Sequence, residues 1–188
     1  MEETQQMLQQ MCVSLRGAFK DIGLWRDADL RSNSFWTSKI KEALSGIGAP
    51  DECELRVSKR GENWEFLWDA CFLELGGRPA GDGYFMAAYP LKRIIMAFEW
   101  EWDPRPREIL YDFTKLLVSK APLKVLVFWE PTLEAAEDIL KQIQRAIEAF
   151  TQRTQDEHYL IAGITDETRA FDFRVFDGTG VEVPSLMC

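Results

Sequence analysis

A chain of 188 residues is long enough to bury one substantial core and short for two full-sized domains, so a single domain over 1–188 is expected. Hydrophobic residues at 46% and charged residues at 28% exclude a disordered chain. The net charge of −9 excludes a broad nucleic-acid-binding face, because affinity for phosphates comes from Lys and Arg.

No apolar run approaches the roughly 20 residues of a membrane span. The opening Met1-Glu2-Glu3-Thr4 is acidic and polar, unlike a secretory or transit segment, so the expected location is the cytoplasm, with no membrane partner. Cys12, Cys53, Cys71 and Cys188 form no C-x-x-C pair, and His158 is the one histidine. Neither a structural zinc site nor a disulfide framework is expected from that spacing. His158, beside Tyr159 at a strand start, reads as structural.

In chain order, residues 2–20 place Leu8, Met11, Cys12, Leu15 and Phe19 at helical spacing, predicting an amphipathic helix that covers the body. A second helix is predicted over 34–44, with Trp36, Ile40, Ala43 and Leu44 on one face and Ser34 as its N-cap. Strands follow at 53–59 and 64–75. The glycine-rich 76–83 lacks the G-K-[ST] ending of a phosphate-binding loop and reads as a loop. A strand over 93–102, a helix over 106–119 opened by Pro106, and a buried strand over 123–129 describe a crossover with two parallel strands. A helix over 131–150 and strands near 159–164 and 171–176 complete the chain.

Within Phe98-Glu99-Trp100-Glu101-Trp102, the two-residue period puts both glutamates on one face and the three aromatics on the other. Two such carboxylates repel each other, which a cation or a raised pKa relieves. Asp69 in the preceding strand has apolar neighbours and needs a partner. If the two strands pair, the three carboxylates converge on a hard cation, magnesium by default. The alternatives are a solvated strand end for Glu99 and Glu101 and a simple ion pair for Asp69. Asp112 and Lys115, three apart on the following helix, adjoin each other, either as part of a site or as an exposed ion pair.

The order helix, three strands, helix, strand, with an Asp in the second strand and a Glu-x-Glu in the third, resembles the PD-(D/E)xK nuclease-like superfamily over about 34–129. It looks like a bacterial branch of it. The resemblance implies an α/β fold with a restriction-endonuclease-like αβββαβ core and a mixed central sheet. The extra N-terminal helix and the C-terminal helix plus two strands would be additions. It also implies that Asp69 and Glu99 ligate Mg²⁺ or Mn²⁺. Glu101 stands where the family's lysine is expected and extends the metal site, and Lys115 is the relocated cation. Glu42 is a further acidic position.

The expected function is Mg²⁺-dependent phosphodiester hydrolysis of nucleic acid, a nuclease using Asp69, Glu99, Glu101 and Lys115. The alternative is a catalytically inactive nuclease-like scaffold that binds or regulates a protein, or forms a homodimer, through its aromatics and a detachable N-terminal helix. Lys39, Lys41, Arg56, Lys59, Arg60, Lys92 and Arg93 are the candidates for a local basic patch.

Overall fold

The aromatic and aliphatic residues of 91–165 generate the centre of the molecule. In the computed structural model, which describes residues 2–20, 32–47, 53–57, 67–76, 91–154 and 156–183, the N-terminal helices are α1 (Glu2–Ala18) and α2 (Asn33–Ser45). They lead into β1 (Cys53–Val57), β2 (Ala70–Leu75) and β3 (Leu91–Glu101). Then come α3 (Pro106–Leu117), β4 (Leu123–Glu130), α4 (Leu133–Ala149), β5 (His158–Thr165) and β6 (Phe171–Asp177).

The six strands form one sheet in chain order. Pairing is antiparallel from β1 to β3, parallel from β3 through β5, and antiparallel again at β6, a mixed α/β sheet. The parallel β3-α3-β4 unit is the crossover expected from sequence. Alternation along the strands splits the apolar side chains between two faces. Phe98, Val125, Val127 and Leu160 pack with α1 and α2, whereas Ala97, Leu126, Phe128 and Ile161 pack with α3 and α4. Burying each such aliphatic or aromatic side chain contributes about 1.5–3 kcal/mol.

Several expectations need correction. Ser32, not Ser34, caps α2, its hydroxyl accepting from Phe35 N at 3.3 Å, because the helix already begins at Asn33. The helix α1 is no detachable cover, for Met7, Leu8, Met11, Cys12, Leu15 and Phe19 are all buried in the first core. Cys12 is disulfide-bonded, a cross-link the cysteine spacing does not announce, while Cys71 is buried. The strand expected over 64–75 occupies only Ala70–Leu75, with a bend at 67–69 before it and 64–66 outside the described residues. Most of the expected loop at 76–83 also lies outside them. No described helix is long and apolar enough to cross a membrane.

Candidate acidic site

The site forms where the β2–β3 ladder stops. Ala70↔Phe98 is its last rung, and the next β3 amide facing that edge, Trp100 N, donates instead to Asp69 Oδ2 at 3.0 Å. Asp69 therefore lies in the bend entering β2 rather than within a strand, and it substitutes for a strand partner. That substitution sets its carboxyl beside Glu99, one residue earlier on β3.

Glu99 and Glu101 lie on the face that α3 covers, since they share it with Ala97 and sit in register with Leu126 and Phe128. The aromatics Phe98 and Trp102 take the opposite core, and Trp100 packs against it. From above, α3 supplies Asp112 and Lys115. Lys115 Nζ lies 2.8 Å from Glu99 Oε2 and 2.8 Å from Asp112 Oδ1, bridging strand and helix. The helix is tethered to the bend, because Trp68 Nε1 donates to Lys115 O at 3.2 Å. Asp69, Glu99, Glu101, Asp112 and Lys115 are thus brought together from the bend, the strand end and the helix. Asp112 and Lys115 are no exposed ion pair, for the Asp112 side chain is only 13% exposed.

The electrostatics follow from burial. Glu99 is fully buried, and its polar neighbours among the described residues are the Lys115 ammonium, 2.8 Å from Oε2, and the Asp69 carboxyl. Burial, then the Asp69 charge, push its carboxyl up to about 9, against the opposing pull of Lys115. Protonated, Glu99 has a hydroxyl that can donate to the neighbouring Asp69 carboxylate. Burial also raises Asp69, with the Trp100 amide and Lys115 working the other way. Glu101 is raised, first by burial and further by Asp112, although its Oε1 accepts from Asp103 N at 2.7 Å. Lys115 loses ground to burial, but its pairing with Asp112 and Glu99 prevails and raises it, so it stays charged.

Glu42 is not brought to this cluster. It sits on α2, which packs on the other sheet face, with its side chain 60% exposed and held by Lys39 at 2.7 Å. Of the expected basic patch, Lys39 is tied to Glu42, and Lys92 and Arg93 to Glu74, with Arg93 also reaching Glu3. Lys59, Arg60 and the Arg56 side chain lie outside the described set.

Sequence reasoning missed two buried polar features. Glu130, at the end of β4 on the face of Glu99 and Glu101, is 2% exposed with Oε1 unpartnered, and burial alone pushes its carboxyl up to about 7. Toward the other end of the strands, fully buried Lys124 donates to Glu157 Oε2 at 2.8 Å, to Leu117 O at 3.2 Å and to the Tyr159 hydroxyl at 3.3 Å. The polar residue Lys124, flanked by Leu123 and Val125 in an apolar strand, was the one visible signal of that network.

Among the described residues, no three carboxylate, thiol or imidazole side chains are arranged to hold a metal ion as they stand. Lys115 occupies the space between Glu99 and Asp112. No family model, no curated protein and no solved structure matches this chain.

Proposed function

We propose that this chain is a divalent-cation-dependent phosphodiester hydrolase acting on nucleic acid, built on a restriction-endonuclease-like αβββαβ core formed by α2, β1 to β3, α3 and β4. The observation that carries the reading is the meeting of Asp69, Glu99 and Lys115 from three separate elements around the fully buried Glu99 carboxyl. A buried carboxyl beside a second carboxyl is costly, and such a cost is tolerated where a ligand or proton completes the group. Asp and Glu oxygens suit hard cations. Asp69 and Glu99 are the residues that would hold Mg²⁺ or Mn²⁺, with Glu101 extending the set; bound there, the ion would polarise a phosphodiester and acidify a water. Lys115, kept charged, is placed to offset negative charge developing on a phosphate.

A second reading has its own support. The described carboxylates form no ready three-ligand site, and Lys115 already contacts two acidic groups, Glu99 and Asp112. On that reading the cluster is an ion-pair network in an inactive nuclease-like scaffold, which serves as a protein-binding or regulatory module. Calorimetric titration with Mn²⁺, run beside cleavage assays on DNA and RNA, separates the two. The hydrolase reading expects binding heats and cleavage that both vanish in the Asp69→Asn/Glu99→Gln double variant. Heats indistinguishable from those of the variant, with intact substrates, would establish the scaffold.

A further inference from the structure

We propose that the cleft between α4 and the β5–β6 hairpin binds a small organic amine, a protonated amino group carried on an aromatic or branched aliphatic body. The cleft encloses about 330 Å³, within the range of small-molecule sites. Leu133, Ala136 and Leu140 of α4 form one wall, Phe171 at the start of β6 forms part of the other, and Gly163 leaves the floor on β5 without a side chain. The Glu167 carboxylate accepts from Leu133 N at 3.1 Å and so ties the hairpin turn to the first turn of α4. None of these residues belongs to the acidic site, so the cleft stands apart from the hydrolase reading.

The polar groups of the lining select the ligand. Thr168 donates to Ala170 O at 3.3 Å, which makes Thr165 the donor in the 3.0 Å pair of hydroxyls, and neither keeps a hydrogen for a ligand. Each guanidinium nitrogen of Arg174 already meets a carboxylate, Nε at Asp172, Nη1 at Glu182 and Nη2 at Glu137. Acceptors are in surplus instead. Among the described residues, Glu137 and Asp172 each give one oxygen to Arg174 and keep the second. Beside the floor, Glu130 stands in register with Thr165 on the same sheet face, buried, with an Oε1 that accepts no hydrogen bond among the described residues.

The charge balance argues the same way. Three carboxylates around one guanidinium leave the rim negative, and Lys141, Arg145 and Arg169 on the adjoining elements do not line the cleft. An anion would have to displace Glu137 or Asp172 from Arg174 and then face the displaced charge. An ammonium brings both the opposite charge and the missing donors, and charge-assisted hydrogen bonds are the stronger kind. Its apolar body would cover Leu133, which is 46% exposed at the mouth, and the wall behind it.

Methyl NMR titrations of the full chain test this with probes of nearly one shape: 2-phenylethylammonium, 2-phenylethanol and phenylacetate. Expected are shifts at the Leu133, Ala136, Leu140 and Thr165 methyls, with a Kd for the ammonium about tenfold below that of the alcohol and phenylacetate the weakest. In Glu137→Gln/Asp172→Asn, where both side chains are about half exposed and lie outside the core, the ammonium should weaken to the level of the alcohol while the alcohol is unchanged. Ala136→Met, which projects into the cleft, should weaken every probe. Equal affinity for the three probes, tightest binding of phenylacetate, or an ammonium preference that survives in the double variant would overturn the proposal. So would methyl shifts that persist undiminished in Ala136→Met, or none at these methyls up to the solubility limit of the probes.

Discussion

Replacing Glu99 by Gln isolates the cost of burying a carboxyl group next to Asp69. In the folded protein Glu99 loses its proton at about 9, against an ordinary value of 4.5. The folded state therefore keeps a proton that the unfolded chain releases above pH 4.5. Stability is fully present below that pH and falls as the pH rises toward 9. At pH 7 the deficit spans 2.5 pH units at about 1.4 kcal/mol each, hence ~3 kcal/mol as an upper figure, because Asp69 and Lys115 titrate in concert with Glu99. A glutamine has the same shape and no proton to lose, and its amide can donate to Asp69. Lys115 keeps its partner Asp112 in the variant. Thermal melts followed by circular dichroism from pH 4 to pH 8 should show the variant gaining on the native chain as pH rises. By pH 7 the gain should reach up to roughly 6–12 °C relative to pH 4, since 1 kcal/mol moves the midpoint of a domain this size by about 2–4 °C. The contributions of distant carboxylates cancel in the difference. Melting profiles that run parallel across the whole range would refute the buried, proton-retaining Glu99.

Lys115→Met removes the ammonium that faces Glu99 and Asp112 and is expected to cost about 2–4 kcal/mol at pH 7, because the mostly buried Asp112 loses its 2.8 Å partner. A shift in urea midpoint at constant slope measures it, and an unchanged midpoint would place the pair in open solvent. Lys124→Met strands the Glu157 carboxylate and is expected to cost about 3–5 kcal/mol, while Lys124→Met/Glu157→Gln should recover a large part of that. Simple additivity of the two single variants would show that the groups are not coupled.

Side-chain period made half of this legible. The alternation of Phe98, Trp100 and Trp102 against Glu99 and Glu101 is a local property of an extended backbone, and it survives in the fold because each face meets a different helix layer. Asp112 and Lys115 likewise adjoin because helical residues three apart share a flank. What period cannot reveal is where a ladder ends. Asp69 looked like a strand residue because its neighbours are apolar, yet it lies one position beyond the last rung, and that depends on its pairing with β3. The Ser32 cap was missed for a similar reason, since Ser32 and Ser34 offer the same hydroxyl and only the backbone selects between them. The Lys124, Glu157 and Tyr159 network joins residues 33 and 35 positions apart, a separation to which no local pattern is sensitive.

The end of the β2–β3 ladder also explains why a cluster so costly in charge arises here. Further along β3, an amide facing β2 has a backbone partner, but Trp100 N would be left unpaired, and an unpaired buried amide carries a penalty of its own. A carboxylate at Asp69 is a better acceptor for it than a carbonyl, being charged and able to reach across the gap left by the missing residue pair. Once there, it lies next to whatever β3 residue points toward α3, and that residue is Glu99. The pair then requires a compensating positive charge on the covering helix, which Lys115 supplies through a position fixed by the Trp68 indole on its carbonyl. Two carboxyl groups, one ammonium and one bend are therefore mutually dependent. Asp69→Ala should accordingly disturb more than a metal ligand, exposing the Trp100 amide as well as lowering the proton affinity of Glu99. Asp69→Asn keeps an acceptor for that amide and removes only the charge, so it is the variant in which loss of cation binding can be read without loss of the strand end.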